Sequence, residues 1–163
     1  MTNIINVGMS QIEVSSSPDA ILLSPGLGSC IGVAIYDPKG KVGGMAHVVL
    51  PDSSKISKTN EPFGKYADTA IPELFKKMTA LGANKNNFII KIAGGSQMFN
   101  FKQETNVLNI GCRNIVAVKA ALTKQGSSIA KSDTGGNKGR TFKLDVKTGK
   151  FSVKMIGQEE VEI

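Results

Sequence analysis

A four-residue turn sequence between two apolar runs constrains the fold of this chain more than any other feature. The turn is Asp37-Pro38-Lys39-Gly40, and the flanking runs, Ile31 to Tyr36 and Val42 to Leu50, are apolar and partly β-branched. Apolar runs separated by aspartate, proline and glycine are typical of two antiparallel strands joined by a turn. We therefore predict a β-hairpin over residues 31–50.

Other stretches predict further strands. Phe142, Leu144 and Val146 alternate with polar residues, and the same alternation recurs at 151–155. Such a period of two residues is typical of strands with one buried face, so a second hairpin is expected with its turn at 147–150. Single strands are expected at 20–23, 88–93 and 128–131.

Two helices are predicted. Apolar residues recur every three or four positions over 65–81, and Gly82 follows as a stop signal. Pro72 lacks a backbone N–H, so we expect either a kink there or a helix that begins late. A second helix is predicted from Asn114, as its N-cap, to about Gln125.

Strands interleaved with two helices predict a layered domain. A chain of 163 residues fits one ordinary domain, and no internal repeat divides it. We expect an α/β (α+β) layered sandwich, with a mixed β-sheet and flanking helices, in a single domain spanning 1–163.

Composition excludes several classes of protein. No uncharged apolar run approaches the ~20 residues that span a bilayer, and a chain with 40% hydrophobic and 20% charged residues has the composition of a soluble globular protein. The two cysteines are too far apart for a CxxC redox or zinc motif, and the N-terminus does not resemble a signal peptide. We expect a cytoplasmic protein with reduced thiols.

The formal charge of +7 favours an acidic partner. That partner can be nucleic acid, an anionic membrane surface or an acidic protein, and a basic face that is only solvated fits the charge as well. A nucleic-acid-binding module is disfavoured, because no RNP, KH or helix-turn-helix signature occurs and 6% aromatic residues leave little for base stacking.

The glycine-rich stretch SPGLGSCIG, residues 24–32, can be a phosphate loop or a turn that presents a nucleophile. A dinucleotide fingerprint needs a third glycine where Ile31 stands, and Gly32 comes one residue late. A strand follows the stretch, so no helix N-terminus is available to a pyrophosphate. A Walker A loop fails as well, because the chain contains no Gly-Lys-Ser or Gly-Lys-Thr.

The alternative is a thiol nucleophile, Cys30. The turn that includes Gly28 and Ser29 can supply backbone N–H groups for an oxyanion. The single histidine, His47, lies on the following strand. If the hairpin turns symmetrically about the middle of its four-residue turn, His47 lies directly opposite Cys30.

A third polar group would orient the imidazole in such a site, and Ser24 is the nearest candidate. The same residues also fit a small core cysteine and a hydrogen-bonded structural histidine, and spacing alone does not decide between the two. Cys112 has no histidine nearby in sequence, so we expect it to be structural.

Five segments of the chain together carry a family resemblance: GLGSCIGVAIYDPKGKVGGMAHVVLPDS, KYADTAIPELFKKMTALGA, KIAGGSQMF, IGCRNI and DTGGNKGRTFKLDVKTGK. In this order they resemble the CheD family of chemoreceptor glutamine deamidases. The resemblance covers nearly the whole chain and implies an α/β sandwich related to cysteine-based toxin deamidases.

The resemblance implies roles for the site residues. Cys30 stands where the family has its nucleophile and His47 where it has its base. The third member of the family's site is commonly a threonine, and Ser24 stands there with the hydroxyl but without the methyl group. Backbone support comes from Gly28 and Ser29, and the chemistry needs no metal or organic cofactor.

The resemblance also implies an activity and partners. It implies a protein-glutamine glutaminase that acts on the cytoplasmic helical region of methyl-accepting chemotaxis receptors, with the phosphatase CheC as a further partner. The alternative is a non-catalytic adaptor that binds receptors or CheC. The GGSQMF segment, residues 94–99, resembles a family motif and is expected either near the site or on a partner surface.

Overall fold

The computed structural model describes residues 1–54, 60–97 and 109–163, and these residues form two five-stranded sheets and two α-helices. The helices are α1 (Ala67–Ala80) and α2 (Ile110–Lys124). The strands are β1 (Asn3–Asn6), β2 (Ile12–Ser15), β3 (Ala20–Leu27), β4 (Ile31–Asp37), β5 (Val42–Val48), β6 (Ile89–Gly94), β7 (Lys131–Thr134), β8 (Arg140–Asp145), β9 (Lys150–Met155) and β10 (Val161–Glu162).

Both sheets are mixed, which confirms the predicted fold class but with two sheets instead of one. The first sheet has the strand order β1-β3-β8-β9-β10, and the second has the order β2-β5-β4-β6-β7. Each contains one parallel pair, β1 with β3 and β6 with β7, and its other pairs are antiparallel. The helices pack on one face of the second sheet and the first sheet covers its other face, which gives three layers.

Strands β4 and β5 confirm the predicted hairpin, but its register differs from the symmetric one. Asp37 pairs with Val42, so four residues form the loop, and Lys41 adopts a positive φ of 56° to close it. As a result His47 lies opposite Gly32 and not opposite Cys30. The prediction of a direct cross-strand pair was therefore wrong by two residues.

Alternate residues of this hairpin face the two neighbouring layers. Ile31 and Val33 belong to the core under the helices, whereas Ala34 and Met45 belong to the core between the sheets. Because side chains alternate along a strand, residues 30 and 32 share the inter-sheet face with Ala34, and residue 47 shares it with Met45. The hairpin thus directs the cysteine and the histidine into the space between the two sheets.

Both predicted helices are present, with different starts. The helix α1 runs through Pro72, so the expected late start was wrong, and Gly82 follows its end with a φ of 95°. Asn109 caps α2 by accepting from the N–H of Cys112 at 3.0 Å. Asn114 therefore is not the N-cap, and lies buried inside the helix. Neither helix has the length and apolarity that a membrane span requires, within the described ranges.

The remaining differences concern short or irregular strands. The hairpin of β8 and β9 and the strand β6 confirm the predictions, but β7 begins at Lys131 where 128–131 was expected. The predicted strand at 20–23 continues to Leu27 across an irregularity after Ser24. The short strands β1, β2 and β10 lie at sheet edges and were not predicted, because they lack long apolar patterns.

The carboxylate of Asp37 joins the hairpin turn to the segment after α1. Oδ1 accepts from the N–H groups of Lys39 and Gly40 at 2.9 Å, and Oδ2 accepts from the N–H of Asn84 at 2.8 Å. Burial favours the protonated carboxyl, but the backbone N–H groups outweigh that effect and the pKa lies below its ordinary value. A lowered pKa stabilises the fold above the carboxyl's unfolded pKa, and this contribution is lost as pH falls through the folded value.

We therefore expect Asp37→Asn to lower the free energy of unfolding by about 1–3 kcal/mol at pH 7, because an amide cannot accept on both sides. The difference from the parent protein should shrink as pH falls below ~4. Urea denaturation at several pH values measures it. Asp19→Asn, at an exposed position, is the control, and a difference that stays constant down to pH 3 would contradict the assignment.

Candidate active site

The candidate nucleophile lies in a turn between β3 and β4. Cys30 is 9% exposed and His47 is 2% exposed, and both lie on the inter-sheet face. His47 pairs with Gly32, two residues beyond Cys30, so the two side chains are diagonal neighbours. Such neighbours have Cα atoms about 7–8 Å apart, with Cβ atoms somewhat closer. The thiol and the imidazole are thus neighbours on one face of the sheet, as a diagonal pair and not as a directly opposite pair.

The backbone carbonyl of Val7 orients the imidazole. Nδ1 of His47 lies 3.0 Å from this oxygen, and since a carbonyl only accepts, Nδ1 carries the hydrogen. Nε2 then holds the lone pair, and within the described residues it has no hydrogen-bond partner. The side chain therefore presents the nitrogen that a general base needs.

Ser24 reaches the same carbonyl. Its Oγ donates to the Val7 oxygen at 3.0 Å, and the residue is fully buried. The N–H of Val7 in turn donates to the carbonyl of Leu23 at 2.8 Å, so the segment is tied to β3. Ser24 and His47 are thus linked through one backbone oxygen that both side chains bind.

Burial favours the neutral forms of the thiol and the imidazole. Burial raises the pKa of the Cys30 thiol, and the N–H of Cys30 itself, which contacts the sulfur, offsets part of that rise. Burial lowers the pKa of His47, and the hydrogen bond to Val7 offsets part of that fall. Because the thiol pKa is raised and the imidazole pKa is lowered, both side chains are uncharged at pH 7 in the resting protein.

The loop after β6 braces the cysteine turn. The N–H of Gly95 donates to the carbonyl of Cys30 at 2.9 Å, and the N–H of Ser96 donates to that of Gly28 at 2.8 Å. Gly94 has a φ of 113°, and a Cβ there would lie 2.2 Å from the Cys30 oxygen. The first part of the GGSQMF segment therefore holds the turn that carries Cys30 in position. Its Met98 and Phe99 lie outside the described residues.

Two residues that sequence reasoning missed complete the support. Arg140 is buried, binds Ser96 Oγ through Nη2 at 3.1 Å and pairs with Asp133. Asn114 is fully buried and donates through Nδ2 to the carbonyl of Ser29 at 2.9 Å. No local signal in the sequence marks either contact, because each joins segments distant along the chain.

Cys112 lies apart from this cluster. It is exposed near the start of α2, whereas Cys30 is buried, and both thiols are free. Its side chain is therefore not part of the buried core, and the expectation that it is structural stays a prediction.

These features define a class: an α+β protein of two stacked sheets in which a buried thiol and an imidazole share the inter-sheet face. The profile of a family described as CheD chemotactic sensory transduction matches residues 49–155. Proteins named "Probable chemoreceptor glutamine deamidase CheD" from Clostridium botulinum strains Eklund 17B and Alaska E43 are each 46% identical over 98% of this chain and 97% of their own. The chain belongs to the CheD family.

One solved structure is similar at a greater distance. The crystal structure of the C-terminal domain of CNFy from Yersinia pseudotuberculosis aligns with 98% of this chain and 62% of its own, at 12% identity and a TM-score of 0.44. At that distance nothing about activity follows.

We expect the rate of alkylation of Cys30 by iodoacetamide to rise steadily from pH 6 to beyond pH 8, because burial raises the thiol pKa above its ordinary value of about 8.5. A Cys112→Ser variant removes the exposed thiol from the measurement, and Cys30→Ala in the same background provides the blank. A rate that is already constant between pH 6 and 7 would instead show a thiolate paired with an imidazolium.

Proposed function

We propose that this protein deamidates glutamine side chains of chemotaxis receptors, converting them to glutamate in the cytoplasm. The observation that carries the proposal is the position of Cys30 diagonally across from His47, whose Nδ1 is held by Val7 and whose Nε2 has no hydrogen-bond partner among the described residues. The curated relatives are named for this activity and match the chain over nearly its whole length.

The first half of the reaction forms a thioester. Nε2 of His47 takes the proton of the Cys30 thiol, and the sulfur attacks the side-chain carbonyl carbon of glutamine. The oxygen becomes an oxyanion that the N–H groups of Ser29 and Cys30 stabilise. Neither group donates to a backbone carbonyl among the described residues, so no backbone acceptor competes with the oxyanion for them. The imidazolium then gives its proton to the nitrogen, and ammonia leaves.

The second half returns the enzyme to its resting state. Water loses a proton to Nε2 of His47 and attacks the thioester carbon, and a second oxyanion occupies the same site. Its collapse breaks the carbon–sulfur bond, and the sulfur recovers a proton from the imidazolium. The carboxylic acid formed loses its proton to solvent and leaves as glutamate, and the neutral thiol and imidazole are restored.

The charge of the chain suits the proposed substrate. The net charge is +7, and receptor modification regions, which the family resemblance implies as substrates, are rich in glutamate and glutamine. Attraction between opposite charges accelerates the encounter of two proteins, and this effect weakens as the salt concentration rises. Binding of the phosphatase CheC stays a prediction that follows from the family resemblance.

We expect the parent protein to convert glutamine to glutamate in a receptor cytoplasmic fragment, and Cys30→Ala to convert none. His47→Gln should lower kcat at least about a thousandfold, because the base is lost. Peptide mass spectrometry locates each converted residue. Cys112→Ser is the matched control and should keep full activity. If the parent and Cys30→Ala bind the fragment equally and neither converts it, the protein is an adaptor.

The shared carbonyl predicts a graded effect at Ser24. Ser24→Ala removes one of the two hydrogen bonds that hold the Val7 oxygen, so the imidazole is less well oriented. We expect kcat to fall about tenfold, within the range typical of lost orienting contacts. Ser24→Thr keeps the hydroxyl and should retain most of the activity. Equal kcat values for the parent, alanine and threonine variants would show that the hydroxyl has no orienting role.

A further inference from the structure

Asn114 makes contacts that helix packing does not require. It lies in the second turn of α2, fully buried, and its Nδ2 donates to the carbonyls of Ser29 and Val49, each at 2.9 Å. Its Oδ1 has no partner within the described residues. An unpaired buried acceptor costs about 1–3 kcal/mol, and Val118 one turn later shows that an apolar residue fits this face of the helix.

The geometry of the peptide group connects this contact to the site. The carbonyl of Ser29 and the N–H of Cys30 belong to one planar trans peptide group, so they point in opposite directions. A side chain that holds the oxygen therefore also sets the direction of the N–H. The N–H of Ser96 holds the preceding peptide group in the same way, through the carbonyl of Gly28.

The second hydrogen bond links this peptide group to the strand of the base. Val49 follows the end of β5, two residues after His47. Both hydrogens of the Asn114 amide are thus used, one on the nucleophile's turn and one beside the strand that carries the imidazole. The amide spans the two segments whose separation determines the distance from thiol to Nε2.

We propose that Asn114 is a positioning residue: it orients the Cys30 N–H toward the oxyanion position and holds the cysteine turn against the end of β5. This rests on the proposed function, since the N–H acts on an oxyanion formed from the substrate amide. An N–H that stabilises only the transition state affects kcat and leaves KM nearly unchanged. The same N–H contacts the sulfur, so its orientation also affects thiol reactivity.

The test compares Asn114→Ala with Val118→Ala, all in the Cys112→Ser background. Val118→Ala removes buried volume from the same helix and leaves both hydrogen bonds of Asn114 in place. We expect Asn114→Ala to lower kcat about tenfold to a hundredfold, less than the 10²–10³ lost with a whole oxyanion donor, with KM within about twofold. Asn114→Asp, whose carboxylate cannot donate, should be at least as impaired.

The second readout is the pH profile of alkylation of Cys30 by iodoacetamide. Asn114→Ala should shift this profile to higher pH, because the Cys30 N–H, which lowers the thiol pKa, is no longer held in its orientation. Val118→Ala should leave the profile in place at a temperature where both variants are folded. If Asn114→Ala matches Val118→Ala in both kcat and profile, Asn114 is a packing residue and the inference is overturned.

The two proposals fail in different ways. If Cys30→Ala still converts glutamine, the proposed mechanism falls, whereas the alkylation profile still reports whether Asn114 orients the Cys30 N–H. If conversion depends on Cys30 and the Asn114 variants keep the parent's kcat and profile, only the positioning role is lost. Should Asn114→Asp fail to fold, Asn114→Ala carries both measurements alone.

Discussion

Strand β4 has no side chain that faces solvent, and the layered arrangement depends on that burial. All seven of its residues are buried, as are all seven of β5 beside it. A strand covered on both faces needs a layer on each side, here the two helices and the first sheet. Gly44 lets the helix layer approach closely, since a Cβ there would lie 2.8 Å from Met78 Sδ. The site therefore lies at the end of a pair of strands that is buried on both faces.

Local patterns were enough to predict the longer strands and helices of the fold, but not the short edge strands β1, β2 and β10. The two hairpins and α1 follow from apolar periodicity and turn residues, which depend on neighbouring positions only. The register of the first hairpin could not be derived in this way. It depends on Asp37, whose carboxylate binds the turn and the distant N–H of Asn84, so four residues and not two form the loop.

The sequence predicts which side chains form the candidate site, but not which residues support them. Cys30 and His47 stand out because one follows a glycine turn and the other is the only histidine of the chain. The groups that hold them come from distant segments, such as Ser96 and Asn114. From the sequence alone, Asn114 is a good candidate for the N-cap, because asparagine is favoured at helix starts. Only the tertiary contact with Ser29 distinguishes Asn114 from Asn109, the residue that caps the helix.

The use of the Val7 carbonyl to orient His47 has a consequence for charge. Many thiol and serine hydrolases hold the imidazole with a carboxylate, which introduces a permanent buried anion. A backbone carbonyl is a dipole without net charge, and mutation of the Val7 side chain cannot remove it. The thiol of Cys30 and the imidazole of His47 are therefore both uncharged at rest, and in the proposed reaction an uncharged glutamine amide reaches them without stripping water from a charged group. A glutamate product, which is an anion at neutral pH, has no cation in this resting pair to retain it.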